Sequence, residues 1–425
     1  MSLHPQIDVS TSSGDTRRRV AVIGAGAAGT MAAIFAARGG AEVLLLERTA
    51  EGGRKILISG GGRCNILPAR LDEARFVTDS SPHTLRKIVR AWPLAEQIDF
   101  FDRELGLALV EETESAKLFP ASNRARDVRD GLIALATREG ARFRGNTGVS
   151  GVLPLEEDRW RVVLENETSL DVDAVIVASG GLSVPKTGSD GVGLQIARRL
   201  GHTIHKTYPA LTPLTAEPSA YTELAGVSLP VTLTAQSAAR QATATGGFLF
   251  THRGYSGPSV LDVSHVAVRS RARDEEPARI TVRWCARSAD EWQRALRRSG
   301  NRSVNGVLRE VLPERLAQVL QWAAGVDPTR TLADLRREER MALVEILTNG
   351  PLPWSGDEGY AKAEVTGGGV NLAEVDPRTM QSRLHRNLFL CGELLDAFGP
   401  IGGYNFLWAW ATGRAAGTGA AHASE

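Results

Sequence analysis

Arg19-Val-Ala-Val-Ile-Gly24-Ala-Gly26-Ala-Ala-Gly29-Thr-Met-Ala-Ala-Ile-Phe-Ala-Ala-Arg38 is the stretch that decides the fold. Its first five residues read as a buried strand and Gly24, Gly26 and Gly29 follow G-x-G-x-x-G. The alanine-rich remainder reads as a helix whose Met31, Ile34 and Phe35 face a core. In such a unit the first glycine permits the turn, the second lets a pyrophosphate approach the backbone and the third lets helix and strand pack closely. Phosphates then sit on the free N–H groups and positive dipole end of the helix. Gly24, Gly26, Ala27, Ala28 and Gly29 are therefore candidate cofactor contacts. A second strand, Glu42 to Leu46, ends at Glu47, about eighteen residues past Gly29, the spacing of a carboxylate that accepts from a ribose hydroxyl. Arg48 follows it into the candidate site.

A chain of 425 residues predicts two or three domains. Fifty basic against forty-nine acidic side chains leave a net charge of +1, so bulk charge selects neither a nucleic acid nor an anionic membrane. Cys64, Cys285 and Cys391 lie far apart with no C-x-x-C, which argues against a zinc site and a disulfide framework and fits a reducing cytoplasm. No apolar run reaches the length of a membrane-spanning helix, and residues 1–18 are polar, the composition of a disordered tail.

After Glu47 comes Glu51-Gly-Gly-Arg54-Lys55-Ile-Leu-Ile-Ser59-Gly60-Gly61-Gly62-Arg63-Cys64-Asn65. Three consecutive glycines are costly inside a regular element. They suit a backbone that touches a flat or anionic ligand, with Arg54, Lys55 and Arg63 supplying charge, and Ser59 to Asn65 join the candidate contacts; a basic surface loop is the plainer alternative. Residues 82–105 read as helical with a break at Pro93, and Lys117 to Asn123 as a turn into an amphipathic helix through Val128, Leu132 and Leu135. Ala174 to Ala178 is another buried strand, ending in Ser179-Gly180-Gly181 where a cofactor would abut it. Asp190 either serves the site or caps the helix behind it.

From His202 to about Arg283, Thr, Val and Leu alternate with turn residues, which predicts strands of a separate sheet or barrel. Within it His252 and Tyr255 are the candidate proton donors, although a lone His in a turn is commonly structural. Residues 286–345 read as helical. Between Val266 and Arg340 there are sixteen arginines, eleven acids and no lysine. A solvated, ion-paired face is the default reading of that pattern, and an RNA-binding patch including Arg294, Arg297 and Arg298 is the sharper one.

Glycines return at the end of the chain. Asn387 to Leu390 is a strand leading to Gly392 and Glu393, and Gly402-Gly403-Tyr404-Asn405-Phe406 opens a helix in which Gly413 and Gly417 permit close packing. A second helix start delivered to a strand end implies a ligand longer than one nucleotide. FAD fits: its pyrophosphate would meet Gly24 to Gly29, Glu393 would take hydroxyls, and the later helix would aim its dipole at the flavin pyrimidine edge.

The motifs Gly53 to Asn65, Phe119-Pro120, Phe250-Thr-His-Arg-Gly254 with Ser256-Gly-Pro258, Ala363-Glu-Val-Thr366 and Gly402-Gly-Tyr-Asn405 together resemble the BaiN/RdsA-like family of NAD(P)/FAD-dependent oxidoreductases, some called aminoacetone-oxidase-like. The resemblance runs from Val20 to Gly417. It implies an α/β fold: a Rossmann-type FAD-binding domain made by both chain ends (19–201 and 355–425), an inserted β-rich, barrel-like domain (202–285) and a small helical domain (286–354). It implies NAD(P)H reducing the flavin and hydride passing to an activated carbon–carbon double bond. Reduction of a ribosomal RNA uridine and oxidation of a small amino ketone are alternatives within the same family. Leu407 departs from the family's Gln and Arg383 from its Lys.

Overall fold

Short apolar strands and the turns between them set the architecture of this computed structural model, which describes residues 17–216, 221–272, 276–297 and 300–422. β1 (Arg19–Ile23), α1 (Ala27–Arg38) and β2 (Glu42–Leu46) are followed by α2 (Arg54–Ile58), β3 (Leu67–Pro68), α3 (Pro82–Arg90) and α4 (Leu94–Asp99). Then come β4 (Leu109–Glu112), β5 (Lys117–Pro120), α5 (Ala125–Arg138), β6 (Arg142–Arg144), β7 (Val149–Pro154), β8 (Trp160–Leu164), β9 (Ser169–Val172), β10 (Ala174–Val177), α6 (Val192–Arg199) and β11 (Ile204–Ala210). The insertion holds β12 (Leu214–Thr215), β13 (Ser228–Gln236), β14 (Gln241–Thr251), β15 (Gly254–Ser256), α7 (Pro258–Ala272), β16 (Arg279–Arg283), α8 (Ala289–Leu296), α9 (Val304–Leu308), α10 (Glu314–Ala323), α11 (Arg337–Asn349), β17 (Gly350–Pro351) and β18 (Gly356–Asp357). β19 (Val365–Val370), β20 (Leu388–Leu390) and α12 (Tyr404–Ala421) close the chain. Tyr208–Glu364 forms one compact unit and the chain on either side of it forms the other. The expected boundaries at 201 and 355 thus stand against observed ones at 207 and 365.

The first unit is a Rossmann-type α/β domain. Its five-stranded sheet has the order β20-β10-β1-β2-β6, every pair parallel. That is a doubly wound order with the switch between β1 and β10, and ligands of such sheets bind outside the carboxyl ends of the strands. Buried on both faces, the strands need no alternation: Val20, Ala21, Val22 and Ala174 to Val177 have no exposed surface. α12 is apolar all round and is therefore interior. It lies directly on α1: a methyl group at Gly413 would stand 2.3 Å from Ala28 O and one at Gly417 2.2 Å from Ala32 O, so only glycine lets the two backbones touch. Arg18, expected in the loose tail, is anchored by a bond from its Nε to Ala420 O (2.9 Å); residues 1–16 of that tail lie outside the described residues.

Lys117 to Pro120, expected as a turn, is the central strand of a three-stranded sheet, β3-β5-β4, with Leu67 opposite Leu118 and Val110 opposite Phe119. Pairing on both sides outweighs the turn chemistry of Pro120, Ser122 and Asn123. Thr366, the last residue of the Ala363-Glu-Val-Thr366 motif, and the glycine triplet that follows it lie inside β19.

The second unit carries a seven-stranded antiparallel sheet, β17-β16-β13-β14-β15-β12-β18. Its two outermost strands are separated by only 352–355, a link that spans at most ~19 Å. Seven strands laid flat would be about 29 Å across, so the sheet must curl toward itself. α7, which the Val-rich sequence placed among strands, packs on β13 and β14 and starts with Pro258 at its first turn. Tertiary burial there overrides the β preference of Val260, Val263, Val266 and Val268. α8 to α11 form the arginine-rich helical layer.

Candidate cofactor site

Parallel register fixes the site. Ile23 pairs with Val177 and with Leu46, and Val177 with Leu390, so four strand ends stop at one level. Gly24 to Gly29, Glu47-Arg48, Ser179 to Gly181 and Cys391 to Glu393 consequently emerge at the same edge of one sheet. The two distant chain segments expected to share a cofactor do meet.

The three glycines of the first turn have different surroundings. A methyl group at Gly29 would lie 1.8 Å from Gly24 O, and one at Gly24 would lie 2.7 Å from Ala178 O. At Gly26 nothing stands within 4 Å of that position. Two glycines are thus closed by packing while the middle one keeps open space before the α1 N-terminus, where backbone N–H groups lack partners in the helix. The donor set fits a pyrophosphate. Ala28 is buried beneath α12. Glu47 is nearly buried and holds the turn: Oε2 accepts from Ala25 N (2.8 Å), while Oε1 accepts from Thr49 N (2.8 Å) and Oγ1 (2.7 Å).

The second glycine turn follows α2. Gly60, Gly61 and Gly62 all take positive φ, and a methyl group at Gly61 would meet nothing within 4 Å. Ser59 Oγ donates to Ile56 O (2.8 Å), so it serves the turn. Cys64, also at positive φ, is fully buried, and burial pushes its thiol up to about 12. The Asn65 carboxamide makes no hydrogen bond among the described residues. Gly60 lies against Phe119, whose Cε1 would be 3.1 Å from an added methyl, and Arg63 stacks over the Phe119 ring at 4.1 Å while pairing with Glu112 (2.9 Å). Two residues along the same face of β5, the Lys117 stem lies against Gly402, 3.4 Å from an added methyl there. β5 therefore bridges the triple-glycine turn and the start of α12.

Glu393 is occupied by the protein itself, correcting its expected role on ligand hydroxyls. Its Oε2 accepts from Lys55 Nζ (2.5 Å); its Oε1 accepts from Ser183 Oγ (2.5 Å), Thr366 N (3.0 Å) and Thr366 Oγ1 (2.8 Å). Burial would raise this carboxyl, but the Lys55 ammonium and the hydroxyl donors outweigh it and hold the group below the ordinary range. Lys55 is likewise committed, donating to Ser183 Oγ as well (2.6 Å). Ser183 and Thr366 are site residues that sequence reasoning left out of the contact set; Thr366 was visible as the residue before a glycine triplet. Gly181 abuts the same network, Gly180 lies against Ser189, and Gly392 sits against Ala28.

Arg48 pairs with Asp190 and with Glu165 (2.5 Å), so it is not a free cation; Asp190 also accepts from Val192 N (3.1 Å), the capping alternative. Arg54 donates to Lys186 O (3.2 Å). Ser179 Oγ is buried toward Gly193 without a hydrogen-bond partner among the described residues. At the start of α12, Gly403 takes φ of 93°, Tyr404 is buried with its hydroxyl accepting from Asp72 N (3.2 Å), and Phe406 stacks on Trp410. Asn405 is turned onto the backbone of Gly399 by two bonds (2.9 and 3.0 Å). Leu407 has no exposed surface, so the apolar residue suits its core position.

The two proton-donor candidates belong to the second unit. His252 is exposed in the turn between β14 and β15. Tyr255 has no exposed surface and packs against Tyr221, Phe248 and Phe250; its hydroxyl has no hydrogen-bond partner among the described residues and is pushed up by burial. A phenol without exposed surface has no route to a substrate. Arg294 and Arg297 are exposed on or just after α8, and Arg298 lies outside the described residues.

One further arrangement invites a catalytic reading. Ser382 Oγ and His202 Nε2 are 3.0 Å apart, and His202 Nδ1 is 3.0 Å from Glu374. The serine is buried and its oxygen already accepts from Leu384 N (3.1 Å) and His385 N (3.0 Å). It is a staple, closed to any substrate.

Comparison with known proteins identifies the family and the fold. The model of the HI0933-like protein Rossmann domain matches residues 18–419. The ribosomal RNA dihydrouridine synthase of Escherichia coli is 33% identical over 395 residues, covering 92% of this chain and 95% of that protein. The 3-dehydro-bile acid delta(4,6)-reductase of Clostridium scindens is 31% identical over 412 residues, covering 95% and 99%. An E. coli quinol fumarate reductase chain superposes with a TM-score of 0.50 at 16% identity, over 95% of this chain and 70% of that one. That likeness is one of fold.

Proposed function

The chain belongs to the HI0933-like Rossmann family of FAD-binding oxidoreductases, and on that premise we propose that it reduces an electron-poor carbon–carbon double bond, with a uridine of ribosomal RNA as substrate. The observation that carries the redox reading is the common level at which Ile23, Val177 and Leu390 end. The RNA substrate is supported by two relatives named ribosomal RNA dihydrouridine synthase, each aligned over more than nine-tenths of this chain. Dihydrouridine is uridine with its pyrimidine double bond saturated.

When bound, FAD supplies two-electron hydride chemistry between a donor and an electron-poor carbon. Gly26 and the first turn of α1 would receive its pyrophosphate, and Glu47 keeps that turn in shape. The Gly60 to Gly62 turn and the Asn65 carboxamide, which has no partner among the described residues, would line its ring end, where the dipole of the α12 N-terminus would favour negative charge. The Lys55–Glu393 pair holds α2 to the strand end and so positions the second turn. Arg63, fixed on Phe119 by Glu112, is a cation beside that turn. NAD(P)H is the donor in this reading. Among the described residues the only parallel sheet of three or more strands is the one that ends at this site, so a nicotinamide has no dinucleotide fold of its own. His252 is retained as candidate proton donor.

Anaerobic NADPH or NADH should bleach the flavin absorbance of FAD-loaded protein, and an unmodified ribosomal RNA transcript should then gain about 2 Da at one uridine. Absence of bleaching with both nicotinamides sinks the donor; peroxide release in air without nicotinamide replaces it with an oxidase. The bile-acid reductase relative favours a second reading, reduction of a small conjugated ketone. Reoxidation of the bleached flavin by a steroid dienone but not by RNA would select it.

A further inference from the structure

In the second unit, α8 and α9 border a cavity of about 270 Å³ lined by Arg287, Glu291, Arg294, Arg302, Val307 and Glu310. Its cations outnumber its free acceptors. Glu310 spends one oxygen on Arg287 (2.8 Å) and the other on Arg302 (2.7 Å), so two guanidiniums share one carboxylate. Arg302 also donates to Gly306 O (3.0 Å). Glu291 is turned onto Ser288, accepting from its N (2.7 Å) and Oγ (2.8 Å) as the cap of α8. Arg294 is exposed and has no hydrogen bond or ion pair among the described residues; it feels only the field of Glu291. Arg287 lies over the Trp292 ring at 4.9 Å, and its Nη1 is buried with no hydrogen-bond partner among the described residues. The site therefore presents one locked guanidinium with a spare buried donor and two more arginines with donors to offer.

We propose that this cavity seats a backbone phosphate of an RNA substrate, an inference that rests on the RNA reading given above. Planar guanidinium forks match the oxygens of a phosphodiester, and a guanidinium already fixed by Glu310 and Trp292 loses little freedom on binding one. A second feature of the same helical layer favours a polynucleotide over a free phosphate ion. Trp322 on α10 is 73% exposed, a flat indole face left in solvent where an unpaired base can stack. The occupant is recognised by its charge and its bases together.

The test uses FAD-loaded protein and an unmodified ribosomal RNA transcript, with binding measured across a salt series. Arg294→Gln with Arg302→Gln should weaken binding about tenfold or more and flatten the salt dependence by about one ion for each phosphate no longer neutralised. Arg294→Glu, a change at an exposed position, should act in the same direction without touching the Glu310 pairs. Trp322→Ala should weaken binding while leaving the salt slope unchanged. FAD content and bleaching by nicotinamide should match the parent in every variant. Wild-type affinity and slope in the arginine variants overturn the proposal; if dihydrouridine still forms, the function stands without it. If the parent protein neither binds nor reduces RNA, the RNA reading falls and the phosphate site falls with it.

Discussion

The two glycine turns of the candidate site use the same residue for reasons that overlap only at Gly24. In the turn after β1, neighbouring backbone occupies the space a side chain would need at Gly24 and Gly29, Gly24 also takes a positive φ, and only Gly26 looks into open space. In the turn after α2, Gly60, Gly61 and Gly62 are glycine because the backbone is left-handed, and at Gly61 the missing side chain would meet nothing. Packing dominates the first turn, where only Gly24 adds a positive φ, and left-handed backbone runs through all three glycines of the second. A glycine's importance therefore has to be read from what surrounds it.

The largest expected effect tests the packed half. Gly29→Val should abolish folding, a cost above about 4 kcal/mol, because its Cβ falls at bonding distance from Gly24 O; soluble expression and circular dichroism check it. A folded variant with unchanged melting temperature would erase the distinction between the turns.

Next is the tether of the second turn. Lys55→Met should cost about 2–3 kcal/mol in urea unfolding, the range for a hydrogen bond to a charged group, since it leaves the Glu393 carboxylate with hydroxyl and amide donors only. The same variant carries a pH signature. Glu393 is held below its ordinary value near 4.5, so its contribution is complete above that pH and is lost as pH falls through the lower folded value. Lys55→Met should flatten that acid limb of the stability curve, and an unchanged limb would remove Lys55 as the cause.

Gly26→Ala separates binding from folding. With no atom within 4 Å of the new methyl, stability should change by less than about 0.5 kcal/mol while FAD affinity drops about tenfold or more, as read by flavin retained on gel filtration. Gly61→Ala should lose about 1 kcal/mol of stability, from an L-residue in the left-handed region, measured as a shift in the denaturation midpoint.

Local chemistry was legible in the sequence where a residue's neighbours in the chain are also its neighbours in space. The β1 turn, its helix and Glu47 are all within one supersecondary unit, and their roles could be read from spacing. Glu393 could not, because the ammonium that claims it is 338 residues away in Lys55. Lys117 to Pro120 looked like a turn because its strand character comes from β3 and β4 on either side. α7 was hidden by valines that favour strands until burial decides otherwise, and Tyr255 looked available because a turn-rich stretch does not reveal the aromatic cluster that closes around it. Asn405 was placed on the ligand by its motif, whereas its amide is taken by the backbone of Gly399.

Cys64 ends the triple-glycine turn with its sulfur sealed from solvent and its proton tightly held. Alkylating reagents attack only an exposed thiolate, so modification of Cys64 has to wait for the turn to open. The protein thus carries its own chemical clock in the triple-glycine turn: the rate at which iodoacetamide labels Cys64, set against the more accessible Cys285, times the breathing of that loop with and without FAD.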